Sequence, residues 1–186
     1  MKAVVVYESL WGNTAAVAEA IADGLGDGAQ ALSTAQAVPE VVADADLVVA
    51  GGPVFAFHLS TDHARGSIRR HPEPGAPEAD WSHPSMRSWM EALPAASGRC
   101  AAFDTRVLGP FGKGAPTVAD ELQAKGYQLV APPEGFIVTG KFGPLRHGEL
   151  ERARRWGEQL LQRADLVEGS LHDPLVVDGD VAPSTR

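Results

Sequence analysis

Ser9, Asn13 and Thr14 sit in the stretch SLWGNT, between the apolar run AVVVY and the alanine-rich segment TAAVAEAIADGL. Side chains that can donate hydrogen bonds at this spacing, with Gly12 permitting close backbone approach, have the makings of an anion site. A helix is predicted to start near Asn13–Thr14, so its unpaired N–H groups and positive dipole end face the stretch. Such a site holds a phosphate with no cationic side chain, and SLWGNT contains neither lysine nor arginine. The plainer reading is an Asn/Thr cap on a tight turn. The stretch is neither the GxGxxG of dinucleotide folds nor a GKT phosphate loop.

Other chemistry is thinly represented. His58 and His63, with Asp62, lie on no predicted helix and no cysteine or glutamate joins them, so no metal is expected. One of these histidines, His58 or His63, is a candidate contact to a substrate or proton donor, with His58 the one put forward as catalytic. Cys100 is the only cysteine, which excludes an intrachain disulfide and reads as a small buried hydrophobe in a strand. No GxSxG elbow is present, nor a Cys/His pair that points to nucleophilic catalysis.

The elements that must position these residues alternate between apolar strands and helical segments, the pattern of a parallel α/β sheet. Strands are expected at 2–8, 29–33, 45–53, 98–105 and 127–139, the last interrupted at Pro132–Pro133. Helices are expected at 14–25, 39–44, 84–93, 117–126 and 147–164. Met86, Trp89, Met90 and Leu93 stack on one face of their helix as core. Leu150, Ala153, Trp156 (or the stem of Arg154), Leu160 and Leu161 form the apolar side of the last one. Residues 56–84 show no sustained period and read as a long loop insertion, which in a compact domain is usually functional or mobile. A single domain over 1–164 is expected, with 165–186 a partly disordered extension. In an open doubly wound sheet, ligands bind beyond the C-terminal strand ends where the strand order reverses. That places a site among the loops 9–14, 53–60 and 104–114.

Composition bounds the function. With 44% hydrophobic and 22% charged residues the chain is ordinary for a globular protein. A net charge of −8 and a pI near 5.2 weigh against nucleic acid as a partner. No apolar stretch is long enough for a membrane span. The chain reads straight into a strand, with no secretion signal, so a cytoplasmic location is expected.

Strand–SLWGNT–helix resembles the phosphate loop of flavodoxin-like proteins, [ST]-x-[ST]-G-x-T. VVAGGPVFAF is similar to their second flavin loop and AAFDTRV to the third. FDTR, GFIVTGKFGPLRHGELERARRW and YESLWGNT together look like a group of small bacterial flavodoxin-domain proteins. The resemblance implies a five-stranded parallel sheet in the order 2-1-3-4-5, helices on both faces, and bound FMN. It implies that Ser9, Leu10, Trp11, Gly12, Asn13 and Thr14 cradle the phosphate. Pro53, Val54, Phe55 and Ala56 would flank one edge of the flavin ring, and Asp104, Thr105 and Arg106 the other. Trp11 departs from electron-carrier flavodoxins, where a hydroxyl residue stands; an aromatic at that position occurs in quinone-reductase-like relatives. It either walls the ligand or plugs the gap beneath loop 53–60. Phe111 is the nearest substitute for the carriers' stacking tyrosine, and only one of Phe55 and Phe57 is expected to face a ligand. Arg106 beside the flavin would raise its reduction potential, while as a surface residue it would pair with Asp104. The resulting expectation is electron transfer or a small NAD(P)H/quinone-type oxidoreductase activity, with a redox protein partner, or NAD(P)H and a small-molecule acceptor. The competing one is a flavin-free protein of the same fold, repurposed as a small-molecule binding or scaffold module or a non-redox enzyme using 56–84. Carrier and enzyme are not separated by the sequence, and the oligomeric state is open.

Overall fold

The computed structural model describes residues 1–55 and 57–171, with side chains as far as residue 164. Ala56 and the segment 172–186 therefore lie outside the described residues. In chain order the elements are β1 (Ala3–Tyr7), α1 (Asn13–Leu25), β2 (Ala29–Ser33), α2 (Pro39–Ala43), β3 (Leu47–Phe55) and β4 (His58–Leu59). There follow α3 (Asp62–Arg70), α4 (Met86–Ala92), β5 (Gly98–Val107), α5 (Ala115–Ala124), β6 (Tyr127–Leu129), β7 (Glu134–Val138) and α6 (Glu149–Leu171).

The main strands lie in the order β2-β1-β3-β5-β6, all parallel. β7 continues the outer strand, pairing with the C-terminal half of β5 from Phe103 to Val107. Counting β6 and β7 as one strand broken at Pro132–Pro133 gives the expected 2-1-3-4-5 sheet. Proline lacks the N–H that a ladder needs, so the break falls where pairing cannot continue. β4 is an antiparallel addition to the end of β3.

Alternation along the strands sorts the core into two layers. Val4, Val6, Val48, Ala50, Cys100 and Ala102 face α4 and α5, where Met86, Trp89, Val118 and Leu122 meet them. Ala3, Val5, Leu47, Val49, Ala101 and Phe103 face α1 and α6, against Val17, Ile21, Trp156 and Leu160. Burial of each large aliphatic or aromatic side chain contributes about 1.5–3 kcal/mol. Both faces of the sheet are covered, which is why its strands read as continuous apolar runs rather than alternating ones.

Three expectations are corrected. Residues 56–84 are not without structure, since they hold β4 and the nine-residue α3. The sequence of α3, DHARGSIRR, carries almost no apolar stripe, so periodicity passes over it. Its order comes from polar groups instead: Thr61 caps it by accepting from the Ala64 N–H at 3.1 Å, Asp62 opens it, and Arg69 and Arg70 close it. Leu150 is 46% exposed and is no part of the apolar side of α6. α6 also runs on to Leu171, past the start expected for the C-terminal extension.

α1 and α6 cross closely because two glycines meet there. A Cβ on Gly157 would intrude on the Ile21 carbonyl and the Gly24 backbone, and one on Gly24 would overlap the Arg154 carbonyl. Gly157→Ala should therefore lower stability, although alanine favours an isolated helix by about 1 kcal/mol. Overpacking of this kind costs about 1–3 kcal/mol. Urea unfolding should show a lower midpoint at unchanged slope.

Candidate functional site

The C-terminal ends of β1, β3 and β5 open onto a cavity of about 620 Å³. Its lining is mainly apolar and aromatic: Leu10, Trp11, Pro53, Val54, Phe55, Phe57, Val107, Phe111 and Val138. The polar members are Ser9, Asn13, Thr14, Thr105, Arg106 and Lys141, and α3 adds His63 and Ser67 as a wall. This is the composition of a small-molecule pocket, an apolar body with a few convergent polar groups.

Gly12, at φ 82°, is the residue before α1, and no side chain caps the helix there. The Asn/Thr cap considered from the sequence is absent. Thr14 turns its hydroxyl to Thr105, with the two Oγ1 atoms 2.7 Å apart, and Asn13 donates to the Phe142 carbonyl at 3.0 Å. The opening amides of α1 thus lack acceptors within the helix. Ser9 Oγ and Trp11 Nε1 are buried with no hydrogen-bond partner. Buried polar atoms normally find partners, so two orphans beside an uncapped helix end mark a place shaped for an acceptor-rich ligand.

Trp11 belongs to the packing and to the cavity wall alike. Its ring stands edge-on to Phe55 at 5.7 Å and to Phe142 at 4.8 Å, and it also lines the cavity. Phe55 and Phe57 both reach the cavity, against the expectation of one. Phe57 is 55% exposed and holds φ at 78°, a conformation uncommon outside glycine. It bridges Gly112, where a Cβ would overlap the Phe57 carbonyl, so the second and third loops are locked together at the rim. Phe111, 49% exposed, stands 6.5 Å from Phe57.

Asp104 does not flank the cavity as expected. It is fully buried and accepts from Arg106, from Gly114 N at 2.8 Å and from Ala115 N at 2.9 Å. Its carboxylate anchors the start of α5 and positions Arg106, whose guanidinium passes over Gly135 where a Cβ would block it. Arg106 therefore pairs with Asp104 and lines the cavity at once. His58, in β4, is exposed and is not part of the lining, while His63 is. Among the described residues no cluster of metal-ligating side chains forms. Burial pushes the Cys100 thiol up to about 11, so it is no nucleophile at neutral pH.

The sequence reading missed a buried polar cluster beneath the phosphate-type loop. Glu8 is fully buried at the end of β1, and Arg65 of α3 donates to it at 2.6 Å. Ser60 Oγ at 2.5 Å and Met86 N at 2.8 Å complete its shell. Arg65 also donates to the His83 carbonyl at 2.5 Å, and His83 Nε2 accepts from Ser9 N at 2.8 Å. The only signal was a charged residue closing an apolar run. Lys141 was missed as well: it lines the cavity from the far loop, between β7 and α6, with its ammonium paired to Glu73.

No protein-family model matches the sequence, and no curated protein does. Solved structures do resemble it. An archaeal flavodoxin superposes with a TM-score of 0.62 at 19% identity, over 89% of this chain and 99% of that one. Flavodoxin 1 of Bacillus cereus gives 0.57 at 14% identity, over 87% and 98%. The Flv1 flavodiiron core of Synechocystis sp. PCC6803 gives 0.59 at 14% identity, over 90% of this chain and 36% of that longer one. The chain has the flavodoxin-like fold. Among the described residues no helix is long and apolar enough to cross a membrane.

Two measurements check the cluster. Arg65→Ala leaves the Glu8 carboxylate buried and unpaired, which should cost about 3–5 kcal/mol. The double variant Glu8→Gln/Arg65→Met should recover part of that loss in urea unfolding. Burial, and then the Arg65 charge, hold His83 below its ordinary value. The unfolded chain thus binds a proton that the folded one resists, so stability should fall as pH drops below about 6.5. His83→Gln should remove the slope just below that pH and leave the carboxylate-driven loss below about 4.5.

Proposed function

We propose that this protein binds FMN and works in electron transfer or as a small FMN-dependent oxidoreductase. One observation carries the reading: an uncapped helix end beside two orphaned buried donors opens into a mainly apolar cavity. FMN matches that polarity, with a dianionic phosphate at one end and a flat, largely apolar ring at the other. Ser9 Oγ, Trp11 Nε1 and the first amides of α1 are the groups that would hold the phosphate. Pro53, Val54 and Phe55 on one side and Thr105 and Arg106 on the other would border the ring. Ala56 belongs to the same expected border but lies outside the described residues.

When bound, the flavin supplies the electron chemistry. The chain's part is to orient it, exclude water and set its electrostatics. Arg106 would offer N–H donors to the ring edge, and Asp104 offsets much of its charge, so its pull on the potential is moderated. His63 and Ser67 of α3 wall the same space, where both would offer hydrogen-bonding side chains. The donor would be NAD(P)H or a protein partner, and the acceptor a small molecule or a second redox protein. The flavodoxin structures it resembles support this direction through the fold.

The flavin-free reading is favoured by Thr14 and Asn13, whose side chains are already used inside the protein. Titrating FMN into the purified protein decides between the two. Quenching of flavin fluorescence with saturation at one site per chain is the expected result. Ser9→Ala should weaken FMN binding by about 10–100-fold, the worth of a hydrogen bond to a charged group at ~1.5–3 kcal/mol. No uptake of FMN would give the flavin-free reading the field.

A further inference from the structure

Ser9 supplies one of the two orphaned donors of the phosphate-type loop, and a histidine holds Ser9 in place. The Ser9 backbone N–H donates to His83 Nε2 at 2.8 Å. A ring nitrogen that accepts carries no proton, so the neutral imidazole has its proton on Nδ1. Nδ1 is itself buried with no hydrogen-bond partner. The ring is buried and does not line the cavity, so whatever it does to a ligand passes through Ser9.

His83 is the anchored member of the pair. Arg65 donates to its carbonyl at 2.5 Å, and Thr34 Oγ1 donates to the next carbonyl, that of Pro84, at 2.7 Å. Ser85 then caps α4 by accepting from Ser88 N at 3.2 Å. Asp80 N donates to the Leu10 carbonyl at 2.8 Å, so segment 80–83 grips the loop at two points. The charged groups that face the ring are Arg65 from α3, Glu8 from the end of β1 and Asp80 from its own segment. From α4 the nearest polar group, the Met86 amide, is uncharged and donates to Glu8. Burial and Arg65 disfavour a charged ring while the two carboxylates favour it; the first pair prevails, and the ring is neutral at pH ~7. A proton added to Nε2 takes the lone pair that the Ser9 N–H uses. Two N–H groups then face each other with no acceptor between them. Since His83 is tied on both sides, Ser9 is the side that yields.

We propose that His83 is a positioning residue that makes the 9–14 loop proton-sensitive: the neutral ring seats Ser9 for anion binding, and the imidazolium unseats it. The contact between Ser9 and His83 is a property of the free chain, while its coupling to FMN rests on the flavin reading above. By reciprocity, a phosphate held on Ser9 Oγ keeps the proton off His83, and acid weakens binding.

NMR of the ring and amide nitrogens in flavin-free protein tests the contact, and calorimetric titration with FMN across about pH 8 to 5 tests the coupling. At the alkaline end the His83 ring should be the Nδ1–H tautomer. The Ser9 amide signal should shift with the same midpoint as the ring, below about 6.5. Below that midpoint FMN affinity should fall by up to about tenfold per pH unit, the limit for one proton. The FMN phosphate takes up a proton of its own near pH ~6, so the reference is His83→Gln, which offers Ser9 N an acceptor and does not titrate. His83→Gln should show only the shallower slope of the phosphate. His83→Leu, with no acceptor, should bind FMN about tenfold more weakly than His83→Gln at the alkaline end. The other tautomer, or a Ser9 amide that ignores the titration of the ring, overturns the proposal whatever FMN does. Equal slopes in wild type and His83→Gln overturn the coupling, as does tighter wild-type binding in acid through attraction between imidazolium and phosphate. Protein that takes up no FMN overturns the flavin reading, and the NMR titration alone then decides whether His83 seats Ser9.

Discussion

A fully buried carboxylate at the end of the first strand holds the site together. Glu8 follows the apolar run of β1 directly, and an ion so placed is tolerable only with its partners present. Ser60 and Arg65, from the stretch that opens α3, and the Met86 amide, from the start of α4, supply them. Their convergence fixes α3 over the cavity, fixes the start of α4, and through His83 takes up the Ser9 amide. The loop that opens the site is therefore positioned from below by charge and hydrogen bonds, while the sheet positions it from behind by packing.

The sheet was largely legible because its physics is local and repetitive. Continuous apolar runs at 2–8, 45–53 and 98–105 report strands covered on both faces, and Pro132–Pro133 reports where the outer strand must break. The 9–14 loop was legible for a related reason, since glycine before a helix is a backbone statement that one sequence carries by itself. What stayed hidden depends on partners far along the chain. Nothing in DHARGSIRR shows that Arg65 meets Glu8, and nothing in FDTR shows that Asp104 turns inward to α5 while Arg106 turns toward the cavity. Leu150 erred in the other direction, an apolar residue at plausible spacing on a helix whose inner face is already filled by Ala153, Trp156 and Leu160.

The cavity combines two kinds of surface that rarely share a wall by accident. Its polar end includes two buried groups whose hydrogen-bonding capacity is unspent, Ser9 Oγ and Trp11 Nε1, while its body consists of aromatic and branched side chains. Trp11 stands at the seam, packed by Phe55 and Phe142 so that it is held in place. A side chain of that size makes the 9–14 loop a fixed aromatic wall of the cavity.

The attachment of α3 has a dynamic consequence. The helix contributes little to either hydrophobic layer, and polar contacts hold it: the Arg65–Glu8 ion pair, the Arg65 bond to the His83 carbonyl, and the Ser88 hydroxyl that donates to Asp62. Segments with few buried apolar contacts open at a free energy well below that of global unfolding. The α3 wall of the cavity therefore depends on the Glu8 charge pair rather than on packing, so a local opening there would leave the strands folded at the cost of unpairing a buried carboxylate.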